Sequence, residues 1–168
     1  MKPQLDLAER LSKVSPLDRR AIEIEMAEMF TAAVADRYGP EAAGEILRTV
    51  VRRAAGRAAA AIRRRQPKPT LLDILEVWRD LGGDGRLEMD LEEFTPRALR
   101  FRVKRCAYAE AYRALNLEGL GVKFSCHRDE HFAQALIPGL RLKQSPTIME
   151  GYDHCCFEYF YDDADGEI

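Results

Sequence analysis

The chain has 168 residues, 46% of them apolar and 32% charged, with a formal net charge of −2. This length suits a single domain, 1–168, with a real hydrophobic core, and so balanced a charge argues for neither a nucleic-acid nor an anionic membrane partner. No run of eighteen apolar residues occurs, and the first ten residues lack the apolar centre of a secretion signal, so a cytoplasmic protein with four reduced cysteines is expected.

In chain order, Gln4 to Lys13 reads as a short amphipathic helix. Ser15-Pro16 then supplies an N-cap and a first-turn proline for a helix to Arg37, with Ile22, Met26, Met29, Phe30 and Ala33 as its apolar stripe. Tyr38-Gly39-Pro40 stops that helix and opens the longest one, to Arg65, whose stripe is Ala43, Ile46, Leu47, Val50, Ala54, Ala58, Ala61 and Ile62. The nearly bulk-free run 54–61 would let another helix approach closely. Arg52, Arg53, Arg57 and the arginines at 63–65 read as a solvated basic face offsetting the helix dipole, because no aromatic residues interleave them. Thr70 caps a three-turn helix carrying Trp78, and Gly82-Gly-Asp-Gly85 is a turn that lacks the ligand pattern of a calcium loop.

Beyond residue 86 the period changes. Leu87, Met89 and Leu91 alternate with charged residues, as do Leu99, Phe101 and Val103, so both stretches predict strands. Cys106 to Leu115 is helical, Val122, Phe124 and Cys126 alternate as a further strand, and His127 to Ile137 is helical. Leu140 to Lys143 and His154 to Tyr161 are the last strands, and the acidic tail 162–168 is expected to fray. The expected class is α+β: a mainly helical half, 1–82, packed on an antiparallel sheet with helices, 86–161, which carries the chemistry-bearing residues.

Alternation on the last strand puts Cys155, Phe157, Tyr159 and Tyr161 on one side and His154, Cys156, Glu158 and Phe160 on the other. The first set is the more continuous aromatic face, so Cys155 is expected inward and Cys156 outward. Asp129 follows Cys126 by three residues, and Glu110 follows Cys106 by four, so each carboxylate shares a helical face with a thiol. Three segments can thus aim thiols and carboxylates at one place, as a catalytic pocket or metal site needs. The alternative is that the cysteines pack as small hydrophobes. His127, His131 and His154 read as surface residues. No CxxC pair or HExxH motif is present, and phosphate-binding, dinucleotide-binding and serine-elbow motifs are missing too.

The set Arg105-Cys106-Ala-Tyr-Ala-Glu110, Phe124-Ser-Cys126-His-Arg-Asp129, Pro138-Gly-Leu-Arg-Leu and Thr147-Ile-Met-Glu150-Gly151-x-x-x-Cys155-x-Phe157 resembles the L-2-amino-thiazoline-4-carboxylic acid hydrolase family over roughly 98–160. The closing motif is also distantly similar to the vinyl-reductase-type small-molecule-binding domain, some members of which hold zinc through cysteines and a glutamate. That second resemblance implies zinc as the cofactor, if a metal is present, on Cys126, Glu150 and Cys155; Asp153 stands where a fourth ligand would be a cysteine. The first implies water addition to a cyclic isothiourea, with Cys126 as nucleophile or metal ligand, Asp129 as proton carrier and Cys155 as second thiol. Cys106, Glu110, Thr147 and Glu150 would then contact the substrate. A rival expectation is a non-catalytic small-molecule-binding or sensor module. A third is a partner-binding protein, homodimer included, that uses the small-residue run 54–61.

Overall fold

A computed structural model describes residues 13–161 together with Asp6, Glu9 and Arg10. The expected helix over 4–13 lies mostly outside these residues, and the acidic tail lies wholly outside them. Ser15 caps α1 (Pro16–Tyr38): its Oγ accepts from the Asp18 amide at 3.0 Å. Gly39, at φ 88°, makes the reversal into α2 (Pro40–Arg65), where an L side chain would be strained. Thr70 and Asp73 form a reciprocal capping box at the start of α3 (Leu71–Gly82).

Four strands follow, β1 (Leu87–Phe94), β2 (Ala98–Cys106), β3 (Leu140–Gln144) and β4 (Cys155–Tyr161), all antiparallel in the order β1-β2-β4-β3. Between β2 and β3 run α4 (Ala107–Ala114), a single helical turn α5 (Glu118–Gly121) and α6 (Arg128–Leu136). The class is α+β. The two faces of the sheet divide by charge, as alternation requires. Outside, Arg100 meets Glu158 at 2.9 Å and Arg102 meets Glu92 at 3.1 Å, with Lys104 paired to Asp90. Inside, Leu99, Phe101, Val103, Cys155, Phe157 and Tyr159 are buried against α3.

Three expectations fail on physical grounds. The Ile22, Met26, Met29, Phe30 stripe of α1 is not its buried face: Met26 is 47% and Phe30 66% exposed, while Ile24, on the opposite side, is fully buried. The helix has two apolar sides, and only contact with the core chooses between them. On α2 the buried line is Ala43, Leu47, Val51, Ala55 and Ala59: it keeps Ala43 and Leu47 of the expected stripe but runs one step around from the rest, so Ile46 and Val50 face outward. Its small residues are used within the chain, where α6, with buried Ala133 and Leu136, packs along α2. Lastly, Val122–Cys126 is a π-helical turn and not a strand, closed by the His127 amide donating to the Val122 carbonyl at 3.0 Å. Gly121 makes this possible, because a Cβ there would run into the Tyr112 ring and the Met149 sulfur.

Candidate functional site

One end of the sheet gathers the thiols. β2 ends at Cys106 and β4 begins at Cys155, whose neighbour in register is Val103, while β3 ends at Gln144 opposite Phe157. The π turn adds a residue to the helical path just before α6, delivering Cys126 at its end and Asp129 in the first turn of α6. Between this end of the sheet, α3 and α6 lies a cavity of about 330 Å³, walled by Cys106, Cys126, Cys155, Asp129, Trp78 and Phe157 among others. That volume is at the small end of ligand pockets.

Among the described residues Asp129 is the one acidic side chain on this cavity. Burial pushes its carboxyl up to about 8, and the nearby Arg20 guanidinium only partly opposes the shift. By surface area the residue is only partly buried, but it lines the mostly apolar cavity, where little solvent stabilises its charge. Burial likewise raises all three thiols. Cys126 is pushed far up, with the Asp129 charge adding to burial and a Thr147 hydrogen bond opposing them. Cys155 rises to about 11 by burial, against the Ile148 amide, which donates to its Sγ at 3.2 Å. Cys106 is raised by burial, with the Tyr108 and Ala109 amides approaching but forming no N-cap bond. At neutral pH the cavity therefore presents thiols and a carboxyl that is largely protonated, not thiolates.

Thr147 and Glu150 serve a different purpose. The Glu150 carboxylate accepts from both the amide and the hydroxyl of Thr147, each at 2.8 Å, closing a capping box on the 3₁₀ turn Ile148–Glu150. The Glu150 carboxylate is thus engaged by Thr147, and among the described residues no three His, Cys, Asp or Glu side chains are arranged to hold a metal ion. The zinc set Cys126, Glu150 and Cys155 does not fit this arrangement. Glu110 also leaves the group: it pairs with Arg105 at 2.6 Å on the surface, while Cys106 turns inward. The helix spacing is right, but the helix starts at Ala107 and Cys106 remains on the strand, so the two side chains diverge. Cys156 is half-buried, and His127 and His154 are exposed.

Sequence reasoning missed several walls. Trp78 was visible only as a core residue, and Arg20 carried no signal. Gln144 did carry one, because Leu140, Leu142 and Gln144 alternate onto the inner face, where a glutamine is out of place.

The sequence profile of the L-2-amino-thiazoline-4-carboxylic acid hydrolase family matches residues 19–159. The chain belongs to that family. Membership spans the helical half as well as the thiol-bearing half, further than the motifs alone reach. No curated protein matches the sequence significantly. Among solved structures, the family member is similar to the phenol-responsive sensory domain of the transcription activator PoxR, solved with phenol. The TM-score is 0.53 at 12% identity, covering 84% of this chain and 74% of that one. At that identity the likeness concerns the fold, an α+β scaffold shared with a small-molecule sensory domain. Among the described residues no helix is long and apolar enough to cross a membrane.

Proposed function

We propose that the cavity is the active site of a hydrolase-like protein that opens a small cyclic amidine or isothiourea of the 2-aminothiazoline-carboxylate type. Asp129 carries this reading: a lone acid at about 8, facing a mostly apolar cavity beside three thiols, in a member of this family. Opening the ring adds water to the carbon between sulfur and nitrogen, and the departing ring atom must gain a proton as its bond to that carbon breaks. Asp129, protonated at neutral pH, donates that proton and recovers one from the added water. Cys126 is the thiol placed to attack or to hold the water, and Cys155 backs it. Because burial keeps the Cys126 proton in place, its attack requires passing that proton to the Asp129 carboxylate left when the departing ring atom is protonated; water then replaces the sulfur on that carbon and returns a proton to the thiol. Cys106 and Thr147 shape the surroundings of Cys126.

Turnover of L-2-amino-thiazoline-4-carboxylate is the direct test. Asp129→Asn should lower it by about 10²-fold or more, the usual share of a general acid, and Cys126→Ser should lower it as well. The wild-type rate should fall as pH rises through about 8, where Asp129 loses its proton. Unchanged rates in both variants, with the fold intact by circular dichroism, would sink the assignment.

A second reading, a non-catalytic small-molecule-binding module, is favoured by one observation. All three cavity thiols hold their protons, which suits a binding wall better than a nucleophile. The fold likeness to a sensory domain solved with phenol supports it. Saturable binding without turnover would select this reading.

A further inference from the structure

A second recess of about 440 Å³ adjoins the cavity and is lined by polar and acidic groups, His127, Glu130, Ser145 and Glu150 among them. Among the described residues only Cys126 and Gln144 line both spaces, so these two side chains form the partition between an apolar inner chamber and a polar outer one. The Gln144 Nε2 is buried, and among the described residues it has no hydrogen-bond acceptor. Its position heightens the oddity. Strand alternation puts Gln144 on the inner face after Leu140 and Leu142 and opposite Phe157, where an apolar side chain would serve packing better. A buried amide donor without an acceptor destabilises a fold, and such groups normally find a partner. Arg102 Nε is the other unpartnered buried donor, but Arg102 lies on the charged outer face of the sheet.

We propose that Gln144 is a specificity-determining residue, whose side-chain amide turns as a ligand enters so that Nε2, buried in this structure, donates to a carbonyl or carboxylate oxygen of a ligand seated with its apolar body in the inner chamber. This rests on the reading that the cavity binds a small molecule. Glu130 and Glu150 line the outer recess and repel further negative charge, so the oxygen is held at the partition and not beyond it. The inner chamber admits the ring of the ligand, and Gln144 selects rings that carry an sp² oxygen.

Three probes separate the terms: 2-amino-2-thiazoline, its 4-carboxylate and its 4-carboxamide, titrated calorimetrically into the wild-type chain, Gln144→Leu and Gln144→Glu. In the wild type both oxygen-bearing probes should bind about tenfold tighter than the bare ring or better, as one buried hydrogen bond to an otherwise unsatisfied donor implies. Gln144→Leu should erase that preference, bringing both oxygen-bearing probes to the affinity that the bare ring has for the same variant. Gln144→Glu, similar in shape but with an acceptor in place of the donor, should weaken the carboxylate most. The melting temperature of ligand-free Gln144→Leu should hold or rise, since no bond is lost. A preference that survives in Gln144→Leu, equal affinity for all three probes, or a melting temperature several degrees lower would overturn the inference without touching the proposed function. Failure of every probe to bind the wild type would overturn both.

Discussion

The cavity has two unlike walls. On the aromatic side, Trp78 lies 4.5 Å from Phe157 and 5.0 Å from Phe101, ring centre to ring centre, and its indole Nε1 donates to the Tyr159 hydroxyl at 2.9 Å. Every polar atom named there has a partner. Elsewhere on the lining, among the described residues, Asp129 makes no hydrogen bond, and Gln144 Nε2, on the strand beside Phe157, has no acceptor. The first wall has the chemistry of a finished core, in which satisfied polar groups and packed rings add to stability. The second holds polar groups in an apolar space without satisfying them, a state that stability alone would not select. A few polar groups set into a mostly apolar cavity are the arrangement on which the proposed function and the role proposed for Gln144 rest.

That contrast can be broken from either side. The largest effect should come from the aromatic wall: Trp78→Ala should cost about 3–5 kcal/mol by removing a large buried ring, measured by chemical denaturation. Tyr159→Phe should cost about 1–3 kcal/mol, because it leaves the buried Trp78 donor unpaired. If both left stability unchanged, the division between the walls would be wrong.

The acid wall should respond with a slope and not a loss. The native Asp129 carboxyl keeps its proton up to about 8, whereas an unfolded aspartate releases its proton near pH 4. Between those values the unfolded chain binds fewer protons, so this residue makes the fold less stable as pH rises from about 4 to about 8. Asp129→Asn should remove that decline, giving a variant whose stability relative to wild type improves from pH 5 to pH 9. Parallel pH profiles for the two proteins would show that Asp129 is not held in a desolvated site. The smallest effect belongs to the surface. Glu110→Gln breaks only the exposed pair with Arg105 and should change stability by less than about 1 kcal/mol, with turnover unaffected.

The placement of several candidate residues was legible in the sequence. The inward choice of Cys155 over Cys156 followed from alternation beside Phe157 and Tyr159, and the pairing of Cys126 with Asp129 followed from helical spacing. For Glu110 and Glu150 spacing was not enough, for one shared reason. Spacing says which residues of one element share a face, but it does not say whether an outside partner, Arg105 for one and Thr147 for the other, takes the carboxylate first. The π turn was also hidden, because three apolar residues at alternate positions fit either a strand or a widened helical turn.

The sequence by itself determined the α+β class, the helix caps at Ser15 and Thr70, the inward face of β4 and the family motifs. Each of these depends on bonds or periodicities spanning only a few residues. Tertiary structure alone decided which of the two apolar sides of α1 meets the core, that α6 takes the small-residue line of α2, and that Gln144 stands between two chambers. Those outcomes depend on which surfaces meet across long separations in the chain, and no local pattern encodes that choice.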